Sequence, residues 1–191
     1  MSPMRRLAIF TVLLLFLLPG RPAQGQYELA VTGGVNLSTL DPWTPWTWHG
    51  RALGIAVGFP VSDKWSIQLA GQRSVKGQWV EYDTAGCPDC GGGLVVTYIE
   101  FMVLSDIRIA LGDRVRLHLL AGPFGGHQGD RYWWRTFDFG VTGGAQVEVG
   151  LYGNWGLQAG TLYTHGLVNT SGQSQKTRTL TLRGGVSYSI R

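Results

Sequence analysis

Charge is the first thing this chain has little of. Only 15% of its 191 residues are Asp, Glu, Lys or Arg, well under the roughly 25% of an ordinary soluble domain. Too few charges remain to coat the outside of a water-soluble globule. Cysteine is nearly missing too, with two residues in the whole chain, so no dense disulfide framework holds the fold. No helical periodicity stands out after residue 26, and no composition break or low-complexity linker marks a second domain. The longest apolar run, LAIFTVLLLFLL at 7–18, is about a dozen residues, short of the roughly 20 that a membrane-spanning helix needs.

That run has a different use. MSPMRR precedes it as a short positive segment, Pro19 and Gly20 break it, and small residues follow in RPAQG. This is the layout of a secretory signal, with cleavage expected in Ala23-Gln24-Gly25 and residue 26 as the new N-terminus. Residues 1–25 contain Arg5, Arg6 and Arg21 and no acid. The mature chain 26–191 therefore carries 13 basic against 12 acidic side chains. The high pI belongs mostly to the export segment, and no basic cluster with interleaved aromatics is left for nucleic acid.

What the mature chain has in plenty is glycine, 29 residues, and tryptophan, 8, together with a repeated period of two. In Val95–Ala110 the odd positions read Val, Thr, Ile, Phe, Val, Ser, Ile, Ile, while the even ones hold Glu100, Asp106 and Arg108. Successive side chains of a strand point to opposite faces, so in this segment one face is nearly all apolar and the other carries all three charges. The pattern recurs in Tyr27–Leu37, Arg51–Phe59, Trp65–Lys76, Arg114–Gly126, Phe137–Val149, Trp155–Leu167 and Arg178–Ile190. That makes eight strands. Short connections at 60–64, 111–113 and 150–154 alternate with long ones at 38–50, 77–93, 125–136 and 168–177. Short turns on one side and long loops on the other are the asymmetry of outer-membrane barrels. The fold class expected is all-β, an eight-stranded antiparallel up-and-down transmembrane barrel, with both termini on the periplasmic side of a Gram-negative cell outer membrane.

The aliphatic stripes then face lipid and the charges face the bore. The enclosed set is Glu28, Lys76, Glu100, Asp106, Arg108, Arg116, His118, Asp138, Glu148 and Arg183. Opposite signs sharing a partly dry interior pair and stay ionised. An eight-stranded barrel is just filled by its side chains, so the expectation is a plugged, polar interior with no wide pore. Glycines on the inward face of Arg51–Phe59 leave room for long Arg side chains from across the barrel. Tyr27, Trp65, Trp79, Tyr132, Trp133, Trp134, Trp155 and Tyr188 fall near strand ends, where interfacial girdles form.

Seven segments carry a family resemblance: GGVNLSTL (33–40), SVKGQW (74–79), YIEFMVL (98–104), LLAGPFGG (119–126), FDFGVTGGAQVE (137–148), YTHGLVNT (163–170) and KTRTLTLRGGVSYSI (176–190). Their order and spacing resemble the PorT-like small outer-membrane β-barrel domain of Bacteroidetes-type bacteria, over essentially the whole mature chain. The resemblance implies an outer-membrane barrel without catalytic residues, and in some members a link to protein secretion. The family commonly has Pro where Met102 stands here, Arg where Leu162 stands, and a terminal aromatic where Ile190 stands.

The remaining candidates lie in the long loops. Cys87-Pro88-Asp89-Cys90 is followed by three glycines, a poor helix start for a thioredoxin-type site. Four-ligand zinc would need two more ligands from His49, His127, Asp83 or Asp89. A loop-closing disulfide between Cys87 and Cys90 is the simplest outcome in an oxidising compartment. Trp43, Trp46, Trp48, Tyr132, Trp133 and Trp134 are the contact candidates, since Trp and Tyr are favoured at binding hot spots. No catalytic residue, cofactor or metal is assigned. The partners expected are membrane lipid and envelope or secretion proteins, with the barrel itself a monomer. Two alternatives are a lipid-modifying outer-membrane enzyme and a soluble lipocalin-like carrier. The enzyme would need a nucleophile and base in reach of each other, and His165 is followed by Gly166 and Leu167 rather than a serine. The carrier would have an apolar interior and a charged exterior.

Overall fold

The computed structural model describes residues 27–39, 48–81, 91–129, 137–167 and 176–190. The signal segment, the Cys87/Cys90 pair and Trp43, Trp46, Tyr132, Trp133 and Trp134 lie outside them, as does the side chain of Trp48. Eight strands run in chain order: β1 (Tyr27–Thr39), β2 (Trp48–Ser62), β3 (Trp65–Glu81), β4 (Gly91–Ala110), β5 (Val115–Gln128), β6 (Phe137–Gly150), β7 (Trp155–Gly166) and β8 (Arg178–Ile190). Each pairs antiparallel with its sequence neighbours, and β1 closes on β8 from Tyr27↔Ile190 to Thr39↔Arg178. Closure leaves no bare strand edge. The described chain ends, Tyr27 and Ile190, sit side by side at the end that also carries the short turns.

The strands are longer than alternation alone suggests. β3 and β4 continue as a paired ribbon through Trp79↔Gly93 and Glu81↔Gly91, which narrows the expected 77–93 loop to 82–90. A glycine adds nothing to a hydropathy pattern, yet its backbone pairs like any other. β5 likewise runs on to Gln128, and β2 spans Trp48 to Ser62, so the 60–64 connection shrinks to Asp63 and Lys64. The β2–β3 register shifts between Pro60 and Ser62, where proline has no N–H to give the ladder.

The faces sort as expected. Ile99, Phe101 and Val103 are 47%, 67% and 50% exposed, while their neighbours Glu100 and Met102 are buried. The outward wall continues through Leu29, Val31, Leu53, Ile55, Leu69, Phe139, Val141, Leu157, Leu182 and Val186. Each such side chain left in water would forfeit roughly 1.5–3 kcal/mol, so this exterior is not built for water. A soluble carrier has the reverse arrangement, and that alternative falls on the direction of these side chains. At the turn end Tyr27 meets Phe59 edge-on at 6.0 Å, Trp155 meets Tyr188 at 4.9 Å, and Trp65 Nε1 donates to Ser105 Oγ at 2.8 Å. These aromatics border the aliphatic wall as a girdle does.

Candidate functional site

The bore is filled, and it is filled in three layers. Following β4 inward positions from the loop end gives Val96, Tyr98 and Glu100, then Met102 and Leu104, then Asp106 and Arg108. β5 read from the turn end gives Arg116 and His118, then Leu120 and Phe124, then Gly126.

In the loop-end layer, Lys76 Nζ lies 2.5 Å from Glu100 Oε1 and 4.0 Å from Asp138 Oδ2. Gln72 Nε2 donates to Glu100 Oε2 at 2.7 Å, and Thr177 Oγ1 donates to Asp138 Oδ2. The rings of Tyr98 and Phe124 flank the ammonium at 5.1 and 5.5 Å, which adds cation–π attraction. Lys76, Glu100 and Asp138 are all fully buried.

The middle layer is apolar. Met102, Leu104, Leu120, Phe124 and Leu162 form one cluster, with Ala70 packed against it. The bore therefore holds an apolar cluster between its two groups of ion pairs, with buried Gln68 paired opposite Leu104. The five hydrophobes occupy inward positions, so period two places them correctly. What it does not reveal is that they meet at one level.

The turn-end layer holds most of the charge. His118 Nδ1 lies 3.0 Å from Asp106 Oδ1, and Nε2 lies 2.9 Å from Glu148 Oε2. A ring with a carboxylate at each nitrogen satisfies both only when it carries both protons. Ser66 Oγ donates to Asp106 Oδ2 at 2.8 Å, and Arg108 Nε donates to the same oxygen at 3.1 Å. Arg108 Nη2 reaches Glu28 Oε2 at 3.1 Å, and Gln158 Nε2 donates to Glu28 Oε1 at 2.6 Å. Gly58 lies beside this pair, where a Cβ would make only ordinary contacts, 3.5 Å from Arg108 Nη2 and 3.4 Å from Glu28 Cβ.

Two members of the expected network stand apart. Arg116 is half exposed at the mouth, 3.9 Å from Glu148, because its position is the second residue of β5, beyond the packed layers. Arg183 is buried and bonds an amide, Nη2 to Gln146 Oε1 at 2.8 Å, rather than a carboxylate. The single enclosed network expected from the sequence is in fact two ion-pair layers separated by hydrocarbon.

Neutral residues do more here than the charge pattern indicates. Asn36 is fully buried; its Nδ2 donates to Ser74 Oγ at 2.8 Å and to the Val75 carbonyl at 3.1 Å, and its Oδ1 accepts from Thr181 Oγ1 at 2.8 Å. It ties β1 to β3 and β8 near the loop end. Its inward position in β1 was the only signal. Asn36→Ala strands these partners and is expected to lower stability by about 1–3 kcal/mol, read from urea unfolding of the refolded barrel.

On the outer face, Tyr163 Oη lies 3.4 Å from His165 Nδ1. His49 and His127 are exposed on β2 and β5. Asp83 and Asp89 lie outside the described residues.

Neither a family model nor a curated protein matches this chain. Solved structures do. Neisserial surface protein A is 11% identical, covering 86% of this chain and 97% of that one, with a TM-score of 0.59. The outer membrane protein OprG from Pseudomonas aeruginosa is 13% identical over 91% of this chain and 99% of that one, TM-score 0.57. Ail, the attachment invasion locus protein of Yersinia pestis, is 12% identical over 86% of this chain and 99% of that one, TM-score 0.51. At such identities the likeness concerns the fold, and that fold is the closed eight-stranded antiparallel barrel of small outer-membrane proteins.

Proposed function

We propose that this protein is a sealed barrel of a Gram-negative outer membrane that acts through its long loops, as a structural or interaction partner of envelope or secretion proteins. One observation carries the reading: the outer wall is aliphatic while the bore is closed by two ion-pair layers around a hydrocarbon plug. Such an exterior fits acyl chains, and such an interior gives water and ions no continuous path. The termini share the short-turn end, which supports a periplasmic position for them and an outward one for residues 40–47, 82–90, 130–136 and 168–175. The PorT-like resemblance supports secretion as the pathway. The loop aromatics supply anchors of the kind hot spots use.

Two measurements test this. Reconstituted in planar bilayers, the full barrel is expected to hold conductance at background; a steady ionic current would overturn the sealed-bore reading. Replacing Tyr132, Trp133 and Trp134 together with serine is expected to abolish capture of partners from an outer-membrane extract. If every captured protein still binds as before, this loop is not the contact surface.

A further inference from the structure

The outer wall has a sign. Every described acidic side chain of the strands is buried: Glu28, Glu100, Asp106, Asp138 and Glu148. The other described acids, Asp63 and Asp113, lie in the short turns. Arginines behave differently, since Arg51 and Arg73 are exposed on the lipid-facing side of β2 and β3. Arg73 lies directly opposite Leu53, two residues from Arg51, so the two arginines are diagonal neighbours on one face, within mutual reach of long side chains. Neither side chain has a hydrogen bond or ion pair among the described residues. Two adjacent like charges without a counterion repel one another, and an anion between them would reverse that. The row continues through Ile99 to His127, also exposed.

Position and shape both point to the anion's source. Arg51 is eight residues from Phe59 and Arg73 eight from Trp65, the girdle aromatics of their own strands. At about 3.3 Å per residue and a tilt of about 40°, that is about 20 Å of height. The arginine backbones therefore stand about 5 Å short of the far border of an apolar band about 25 Å tall, from where long side chains extend to headgroup level on the loop side. Directly beside Arg73 lies a groove of about 370 Å³ lined by Val31, Leu53, Ile55, Gly71 and Ile99. Gly71 opens it: a Cβ there would lie 3.8 Å from the Phe101 ring, ordinary contact distance. A pair of unmatched cations above an apolar trough is complementary to an anionic head on an acyl chain.

We propose that this cleft is a binding site for a phosphate-bearing lipid of the loop-side leaflet, its phosphate between Arg51 and Arg73 and one acyl chain along Gly71. The proposal rests on the membrane reading above, and the test separates the two. The full barrel is refolded into phosphatidylcholine vesicles containing a trace of spin-labelled phosphatidic acid or spin-labelled phosphatidylcholine. Folding is scored independently by the heat-dependent gel shift. The motionally restricted fraction of phosphatidic acid is expected to exceed that of phosphatidylcholine several-fold. R51Q/R73Q should bring the two to equality, and Gly71→Leu, which fills the trough without touching a charge, should reduce the preference. Lys64→Gln, in a turn at the opposite end, should leave it in place. Failure to insert into either vesicle sinks the membrane reading itself. Insertion with no preference, or a preference that survives either cleft variant, overturns this site alone.

Discussion

Replacing Lys76 with methionine is expected to destabilise the folded barrel by about 3–5 kcal/mol, the cost of removing one partner from a buried ion pair. Lys76 is the cation between Glu100 and Asp138, 2.5 and 4.0 Å away, in a layer closed to water on one side by Phe124 and Leu120. Without the ammonium, two carboxylates face each other with Gln72 and Thr177 as their remaining side-chain donors among the described residues. Glu100→Gln is the comparison that gives the result meaning. It keeps an acceptor for Gln72 and leaves Lys76 opposite Asp138, so its cost should be smaller, about 1–3 kcal/mol. Urea unfolding of both variants, followed by gel mobility, reads the difference. Equal losses would mean that Lys76 contributes packing rather than charge.

The second large effect lies on β4, one residue beyond Glu100 and on the other face. Phe101→Arg is expected to cost about 2–4 kcal/mol in a bilayer, the penalty for a charge near the midplane of a barrel's lipid face. Phe101 sits midway between Val95 and Ile107 on the outward row of β4 and is the most exposed residue of that row. Val95→Arg, six residues nearer the loop end, should cost about 0–1 kcal/mol. The gradient is the test, measured as unfolding free energy in vesicles. If both substitutions are neutral, or if Phe101→Arg yields a compact monomer without detergent, the wall does not face acyl chains.

Glu100 shows why the strands and their facing were legible in the sequence. A carboxylate between Ile99 and Phe101 has a place only if its side of the strand is enclosed and theirs is not, and eight segments of period-two alternation point to the closed sheet. Strand ends were less legible, because Gly91, Gly92 and Gly93 pair with β3 while contributing nothing to a hydropathy pattern. The layering of the bore was harder still. Whether Leu104 and Leu120 meet each other, or each meets a charge, depends on the stagger between β4 and β5, and pairing partners do not appear in either strand alone. Charge matching in the abstract placed Arg183 among the carboxylates. Its actual neighbour, Gln146, comes from β6, two strands away on the far side of Gly160, and nothing in a one-dimensional pattern selects an amide over an acid there. The cationic cleft escaped for a related reason: Arg51 and Arg73 belong to different strands, and only the register sets them diagonally on one face.

The seam between β1 and β8 has a consequence for biogenesis. It joins the first and last strands along their full lengths, Tyr27 to Ile190 through Thr39 to Arg178. A chain lacking β8 presents two open margins of N–H and C=O groups, which hydrocarbon cannot solvate. Partial insertion strand by strand is therefore uphill until the final residues arrive, so joining the lipid phase and zipping the last strand to the first belong to a single step. A truncation before Arg178 should leave material stranded on the near side of the membrane rather than a smaller barrel within it.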